Sequence, residues 1–444
     1  MARVIIIGGG ASGVLLATHL LRMPHATCQV TIVEQREELG AGVAYSTNDR
    51  SHLLNVRASN MSAFADDEDH FVRWLRDHVP ATADQLPSPY YFAPRHIYRD
   101  YLAGLLAPHF AQGRLQRIRG GAVGLEENVA PTISVRFADG TSMAAEKVVI
   151  ATGNEGPMLP KAPWRYDGWQ NSTAPELPAD APVVMIGTGL TMVDWALSLL
   201  HKGHRGLITA ISPLGLMAHA HRPIRAATIN AADVPFGATL AQITRWLRRE
   251  VDKLEASGGD WRSVVDAVRP HTQRLWQSLS TEDKRRFLRH ARPWWDQHRH
   301  RIAPSAAETI ASARNSGQLR ILAARLKGFE PRSEGVDVLA TLRGSGEAQR
   351  LYAKAVFECR GRAGDVTRSE NPFLQSLVRR GQARPDVLRL GLDVTPQCAV
   401  IGVDGEVSQR LFAIGPVTSG VFWESIAVPD IRLQAARIAR QLLE

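Results

Sequence analysis

Two Rossmann-like α/β units, the second carrying a helical insertion, are predicted from three observations. A strand runs into Gly8-x-Gly10-x-x-Gly13 and a helix, a second strand runs into Gly187-x-Gly189 and a helix, and residues 239–308 read as helical. The length, 444 residues, exceeds the roughly 250–300 at which a single core stops growing, so two domains are expected.

The first unit opens with a β-branched strand, residues 3–7, followed by the three glycines and a helical pattern over residues 14–21. Each glycine has a mechanical task. Gly8 makes the tight turn, Gly10 lets backbone approach a pyrophosphate, and Gly13 lets the helix pack close to the strand. Ala11 and Ser12 open the helix, whose unpaired N–H groups then face phosphate. A second strand, residues 29–33, ends at Glu34, about twenty residues on, where a carboxylate accepts ribose hydroxyls. Strand, triplet, helix, strand and terminal acid in that order predict FAD. In the next segment, residues 40–46, Gly42 and Tyr45 are placed where the chain passes the flavin, with an ordinary loop as the alternative. Asn55, in a segment of mixed apolar and small polar residues, is a hydrogen-bonding candidate for the same cofactor.

Residues 133–137 and 146–152 read as strands, the latter closing in Ala151-Thr152-Gly153-Asn154. After a proline-marked crossover, the strand from Val183 enters Gly187-Thr-Gly189-Leu-Thr-Met192. Met192 stands where the third glycine would be, so a wider helix contact is expected, still compatible with a nicotinamide dinucleotide. The following strand ends in Ser212-Pro-Leu-Gly215 with no acid for an NAD ribose. That absence favours NADPH over NADH, with Arg222 or Arg225 either meeting its extra phosphate or serving only as surface charge.

Within the insertion, Trp294-Trp295-Asp-Gln-His298-Arg-His300-Arg301 is dense in aromatic, imidazole and guanidinium groups. Helix packing with a wet face explains it as well as a substrate roof over the flavin does. On the second reading Trp295 supplies shape, His298 handles a proton and Arg301 attracts an anion. Strands resume at 319–326, 336–342 and 355–359, and the tail strand ends in Gly415-Pro416, placed to aim backbone amides at a flavin ring. The domains are therefore drawn as 1–178 for FAD, 179–354 for the nicotinamide nucleotide with the insertion at about 239–308, and 355–444 as the return to the first.

Composition excludes several classes. A fraction of 44% hydrophobic and 22% charged residues is globular. No apolar run reaches the roughly 18 residues of a membrane helix, and residues 4–10 form a short strand rather than a signal segment, so a cytoplasmic location is expected. Cys28, Cys359 and Cys398 form no CxxC pair, which argues against zinc and against a redox dithiol beside the flavin. There is no HExxH, and no metal site is expected. Of the net charge of +9, residues 262–301 carry ten Lys/Arg against four Asp/Glu. Without a nucleic-acid motif, that surplus suits phosphate-bearing cofactors or an anionic substrate.

The glycine motif of residues 8–13, the segment 40–46, Leu54-Asn-Val with Met61-Ser62, Ala151-Thr-Gly153, the turn 187–192, Asp260-Trp-Arg, Arg269-Pro-His-Thr, Arg292-Pro-Trp-Trp and the Gly415-Pro416 tail together resemble a bacterial family of FAD/NAD(P)-binding proteins. The resemblance spans nearly the whole chain. That family is similar in plan to flavin-dependent N-hydroxylating and Baeyer-Villiger monooxygenases, and more remotely to glutathione-reductase-like flavoproteins. It implies that Gly8, Gly10, Gly13 and Glu34 hold FAD, that Gly415 and Pro416 lie by the flavin, and that Gly187, Gly189 and the helix after them receive the nicotinamide nucleotide. Where the family has Ser-Arg-Arg-Gly, this chain has Ser212-Pro-Leu-Gly215, which leaves the NADPH phosphate partner open.

The expected activity is that of an NAD(P)H-dependent monooxygenase, in which reduced FAD reacts with molecular oxygen to form a C4a-(hydro)peroxide and one oxygen atom passes to a small organic substrate. A dehydrogenase passing electrons to a quinone or other small acceptor is the alternative, and a flavin-bearing interaction or sensor protein a third.

Overall fold

The computed structural model describes residues 2–23, 28–80, 88–127, 132–157, 159–168, 175–362 and 364–443. Two large sheets organise the chain. In the first, Ala2–Ile7 lies between Cys28–Glu34 and Lys147–Ile150; Leu115–Arg119 extends one side, and Val407–Ala413 then Ala399–Ile401 the other. All neighbours run parallel except the last pair. The central strands Ala2–Ile7 and Lys147–Ile150 are buried on both faces, which is why they read as Val/Ile runs, whereas the outer Leu115–Arg119 and Val407–Ala413 carry polar residues. Helix Ala11–Arg22 covers one face, and the C-terminal helix Val428–Leu443 packs on it. A separate antiparallel meander, Ala122–Glu127, Ile133–Phe137 and Ser142–Ala145, leads into the central strand Lys147–Ile150.

The second sheet runs Ala348–Ala353, Gly335–Leu342, Leu319–Arg332, Ile208–Ser212, Val183–Ile186, Ala355–Glu358, Arg165–Asp167. Two of its strands cross the boundaries drawn from sequence. Arg165–Asp167 and Ala355–Glu358 pair in parallel with each other, and Ala355–Glu358 with Val183–Ile186, so the chain enters this sheet before residue 178 and leaves it after 358. Arg165–Asp167, a three-residue edge strand, carries too little periodicity to be located in sequence, whereas Ala355–Glu358 was legible as a strand but not as a member of this sheet.

Helix-rich residues 240–315 form the insertion, from Leu240–Ala256 to Pro304–Asn315, with a π-helical turn at Phe287–Ala291 before Arg292–Arg299. Its own small core gathers Val234, Trp246, Val264, Val268 and Leu275, with Trp295 against it. Among the described residues no helix is long and apolar enough to cross a membrane.

Candidate active-site cleft

The same turn is built twice. Gly8 adopts φ +112° and Gly187 φ +113°. A Cβ on Gly8 would lie 2.3 Å from the carbonyl oxygen of Ala151, and one on Gly187 would lie 2.5 Å from that of Cys359. In each unit the glycine N–H donates to the neighbouring strand, to Val33 at 2.9 Å and to Ile211 at 2.8 Å. Gly10 and Gly189 then start their helices in extended conformation, with no side-chain cap. A Cβ on Gly189 would meet nothing within 4 Å, whereas one on Gly10 would face the Cα of Gly42 at 3.3 Å. Both helix starts thus keep backbone N–H groups for an anion.

The units differ at the third glycine and at the strand end. Gly13 has no room for a side chain, since its Cβ would strike the Gly8 carbonyl oxygen at 2.0 Å. Met192, its counterpart, is fully buried in the second core. At the end of the first neighbouring strand Glu34 accepts from the N–H groups of Gly9 at 2.8 Å and Arg36 at 2.9 Å. At the end of the second, Ser212 takes that place, its hydroxyl 2.9 Å from that of Thr188. Arg222 and Arg225 are exposed and do not line the cleft.

Between the units lies a cleft of about 550 Å³. The first unit contributes Tyr45, Asn55 and Asn154, the second Gly189, Leu190 and Ser212, and the insertion Arg292, Arg299 and His300, with Trp423 and Glu424 from the tail. Buried polar atoms on the first side are without partners among the described residues: Thr152 Oγ1 and Asn154 Oδ1 flank Gly153, which turns at φ +75° into open space. Gly415, at φ +76°, sits so close to Ser12 that a Cβ would lie 2.2 Å from its hydroxyl. The carbonyl of Pro416 accepts from Arg362 Nη1 at 3.2 Å and from the Ser419 hydroxyl. Open glycine turns, uncapped helix starts, a strand-end carboxylate and orphaned polar atoms fit a dinucleotide along the first unit.

Several contacts tie the units across the cleft. The Arg95 guanidinium meets Asp194 at 2.7 Å, and His52 Nε2 lies 2.8 Å from the Ser198 hydroxyl. The Nε2–H of His221 donates to the Asn55 carbonyl at 3.0 Å; burial pulls its pKa down to about 4, so the ring is neutral at neutral pH. Burial likewise lowers His300, 3.6 Å from Asp296.

The predicted catalytic cluster is dispersed. Trp295 donates to Glu424 at 2.6 Å and lines, with His298, a second, apolar cavity of about 500 Å³ inside the insertion rather than the cleft. The His298 ring packs against His219 and Trp261. Arg301 is 3% exposed and pairs with Asp266, lining neither cavity. The reason is periodicity: on helix Arg292–Arg299, positions 292, 296 and 299 share one face and 294, 295 and 298 turn away from it. The cleft therefore receives Arg292, Asp296 and Arg299.

Glu424 is the residue that sequence left without a role. It is 5% exposed, has φ +64° and accepts from both Trp295 and Arg299 Nε, the latter at 2.9 Å. Burial alone would raise its pKa, but the charges of Arg299 and its neighbours hold it below the ordinary glutamate value. A bulky residue at positive φ beside a cleft is strain retained at a site.

Residues 5–155 match a protein family described as FAD-NAD(P)-binding. No curated protein sequence matches the chain. Among solved structures, ornithine hydroxylase from Pseudomonas aeruginosa in its reduced form aligns at a TM-score of 0.67 and 15% identity, covering 100% of this chain and 99% of that one. L-lysine 6-monooxygenase from Pseudomonas syringae aligns at 0.65 and 15%, again over 100% and 99%. The bacillithiol disulfide reductase of Staphylococcus aureus aligns at 0.57 and 13%, with the same coverage. At such identities the likeness is one of fold. The chain has the two-sheet, tandem Rossmann-like architecture of the glutathione-reductase-like flavoprotein fold, and its residues 5–155 match the FAD-NAD(P)-binding family.

Proposed function

We propose that this protein is an FAD-dependent oxidoreductase that takes a hydride from NADPH and, as a monooxygenase, places one atom of molecular oxygen on a small organic substrate. The observation that carries the reading is the repeated glycine turn, whose second copy lines the cleft through Thr188 and Gly189 while the first unit reaches it through Tyr45, Asn55 and Asn154, with the insertion as the third wall. Bound there, FAD supplies hydride acceptance and oxygen activation.

The chain's own residues supply the rest. Glu34 holds the ribose of FAD, and the backbone of Gly8, Gly10, Ala11, Ser12 and Gly13 receives its pyrophosphate. Tyr45 and Asn55, from the lining of the cleft, border the flavin together with Gly153, Gly415 and Pro416, which lie outside that lining, and Gly42 lets the loop approach. Gly187, Gly189 and the helix carrying Met192 take the nicotinamide nucleotide. His300, neutral through burial, receives a proton at the cleft, and Trp423 excludes water. The activities named for the solved relatives, an ornithine hydroxylase and an L-lysine 6-monooxygenase, support oxygen transfer. Against disulfide reduction, all three cysteines are buried and burial pushes their thiols up.

Holoprotein given NADPH and a panel of amines, ketones and aromatic compounds is expected to consume NADPH and oxygen one to one with product, with little peroxide released. Oxygen-independent turnover with a quinone would move the protein to the dehydrogenases, and bound FAD without turnover to a sensor. Flavin bleaching at limiting donor is expected to be faster with NADPH than with NADH. Ser212→Asp, which returns a carboxylate to the place Glu34 holds in the first unit, is expected to cut that preference about tenfold, an effect of ~1.4 kcal/mol. An unchanged ratio would remove Ser212 from the ribose pocket.

A further inference from the structure

The insertion side of the cleft ends in donors without acceptors. Arg299 is 7% exposed; its Nε is spent on Glu424, while its Nη2 is buried with no hydrogen-bond partner among the described residues. Trp423, also 7% exposed, leaves its Nε1–H buried and unpartnered among them. Both side chains line the cleft. Leaving a buried donor unsatisfied is costly, and leaving a charged one so is costlier.

The charges around them are unbalanced in the same sense. Four arginines line the cleft, and three have carboxylates: Arg95 with Asp194, Arg292 with Asp296, Arg299 with Glu424. The fourth, Arg362, has no carboxylate within ion-pair distance among the described residues, and its hydrogen bond goes to the backbone of Pro416. Burial, aided by the like charge of Arg292 and only partly offset by Asp386 and Asp296, lowers Arg362 to about 10. The cleft lining thus holds four arginines against three paired carboxylates, an excess of one cation that a bound anion would balance. Trp423 also walls the apolar cavity of about 500 Å³ behind it, where it stacks on Trp276 at 4.7 Å.

We propose that this end of the cleft is a carboxylate subsite, in which Arg299 Nη2, Trp423 Nε1 and Arg362 receive the acid group of an apolar, aryl- or alkyl-bearing substrate whose body lies against Trp423. Glu424 acts as the positioning residue, holding Arg299 and Trp295 from one strained backbone position. The inference deepens the monooxygenase reading and rests on it for the word substrate; the binding itself does not require turnover.

The test is an equilibrium titration of FAD-loaded protein with benzoate and with benzyl alcohol, followed by the flavin absorption band and tryptophan fluorescence. Saturable binding of benzoate, weaker by at least about tenfold for the alcohol, is expected, the size of one charged hydrogen bond. Arg362→Met is expected to weaken benzoate by a similar factor. Arg299→Met leaves Glu424 buried without its partner, so the double variant Arg299→Met/Glu424→Gln, which neutralises the pair together, is the one to titrate, with the same expected loss. Equal affinity for benzoate and the alcohol, or wild-type titration in both variants, would overturn the proposal. So would strict competition between benzoate and NADP+, which would assign the arginines to dinucleotide phosphate. Flavin reduction by NADPH in the same samples reports separately on the function proposed above: its failure with benzoate binding intact sinks that reading alone.

Discussion

Gly189→Val is expected to yield folded, FAD-loaded protein whose flavin is bleached by NADPH at least about 100-fold more slowly, because two or more charge-assisted backbone hydrogen bonds to pyrophosphate are each worth ~1.5–3 kcal/mol. The physical case rests on space. At φ −83° and ψ −164° any side chain is allowed, and no protein atom lies within 4 Å of the Cβ, so valine meets nothing until a dinucleotide approaches. Gly187→Val is the informative contrast. At φ +113°, with the Cys359 carbonyl oxygen 2.5 Å away, it damages the sheet itself, and its loss of activity would say nothing about the donor. Single-turnover stopped-flow at limiting NADPH, with FAD content measured in the same sample, decides the matter. Normal bleaching in Gly189→Val would move the donor away from this helix.

The second large effect is on stability. Glu424→Ala is expected to cost about 3–5 kcal/mol in denaturant unfolding, since it leaves the buried Arg299 cation uncompensated. Glu424→Gln is expected to cost less, because its amide oxygen still accepts from one of the two donors, Trp295 or Arg299, although its NH2 group cannot accept from the other. The pH dependence has a definite sign. A carboxylate held below its unfolded value contributes stability that is present above the ordinary glutamate range and is lost as pH falls through the lowered folded value. Wild-type protein should therefore lose stability on acidification below about pH 4.3 more steeply than Glu424→Gln. Parallel curves for the two would show that Glu424 is not the group responsible.

The first glycine motif was legible because its residues have little freedom: Gly8 and Gly13 are closed to any side chain, and Glu34 must stand at a strand end to reach Gly9. The second motif was legible for the same reason at Gly187, while Met192, in the place of the third glycine, is buried in the second core. The lining of the cleft was not legible. Trp295, His298 and Arg301 were singled out by chemical type, but a helix facing the cleft shows it only every third or fourth residue, and the phase of Arg292–Arg299 was invisible without its partners. Glu424 was harder still. Its role comes from a positive φ and from two donors more than a hundred residues away in sequence, neither of which leaves a local pattern.

The cross-cleft ties at Arg95–Asp194 and His52–Ser198 have a consequence for how a nicotinamide nucleotide comes and goes. They fasten the start of helix Arg95–Ala111 and the segment around His52 to the very helix that begins at Gly189, so a hinge motion swinging the two sheets apart would first have to pull a largely buried ion pair into water. Such a hinge is stiff. Under the function proposed above, traffic would fall to side chains at the mouth, with the frame holding still and the distance from donor to flavin kept from one turnover to the next.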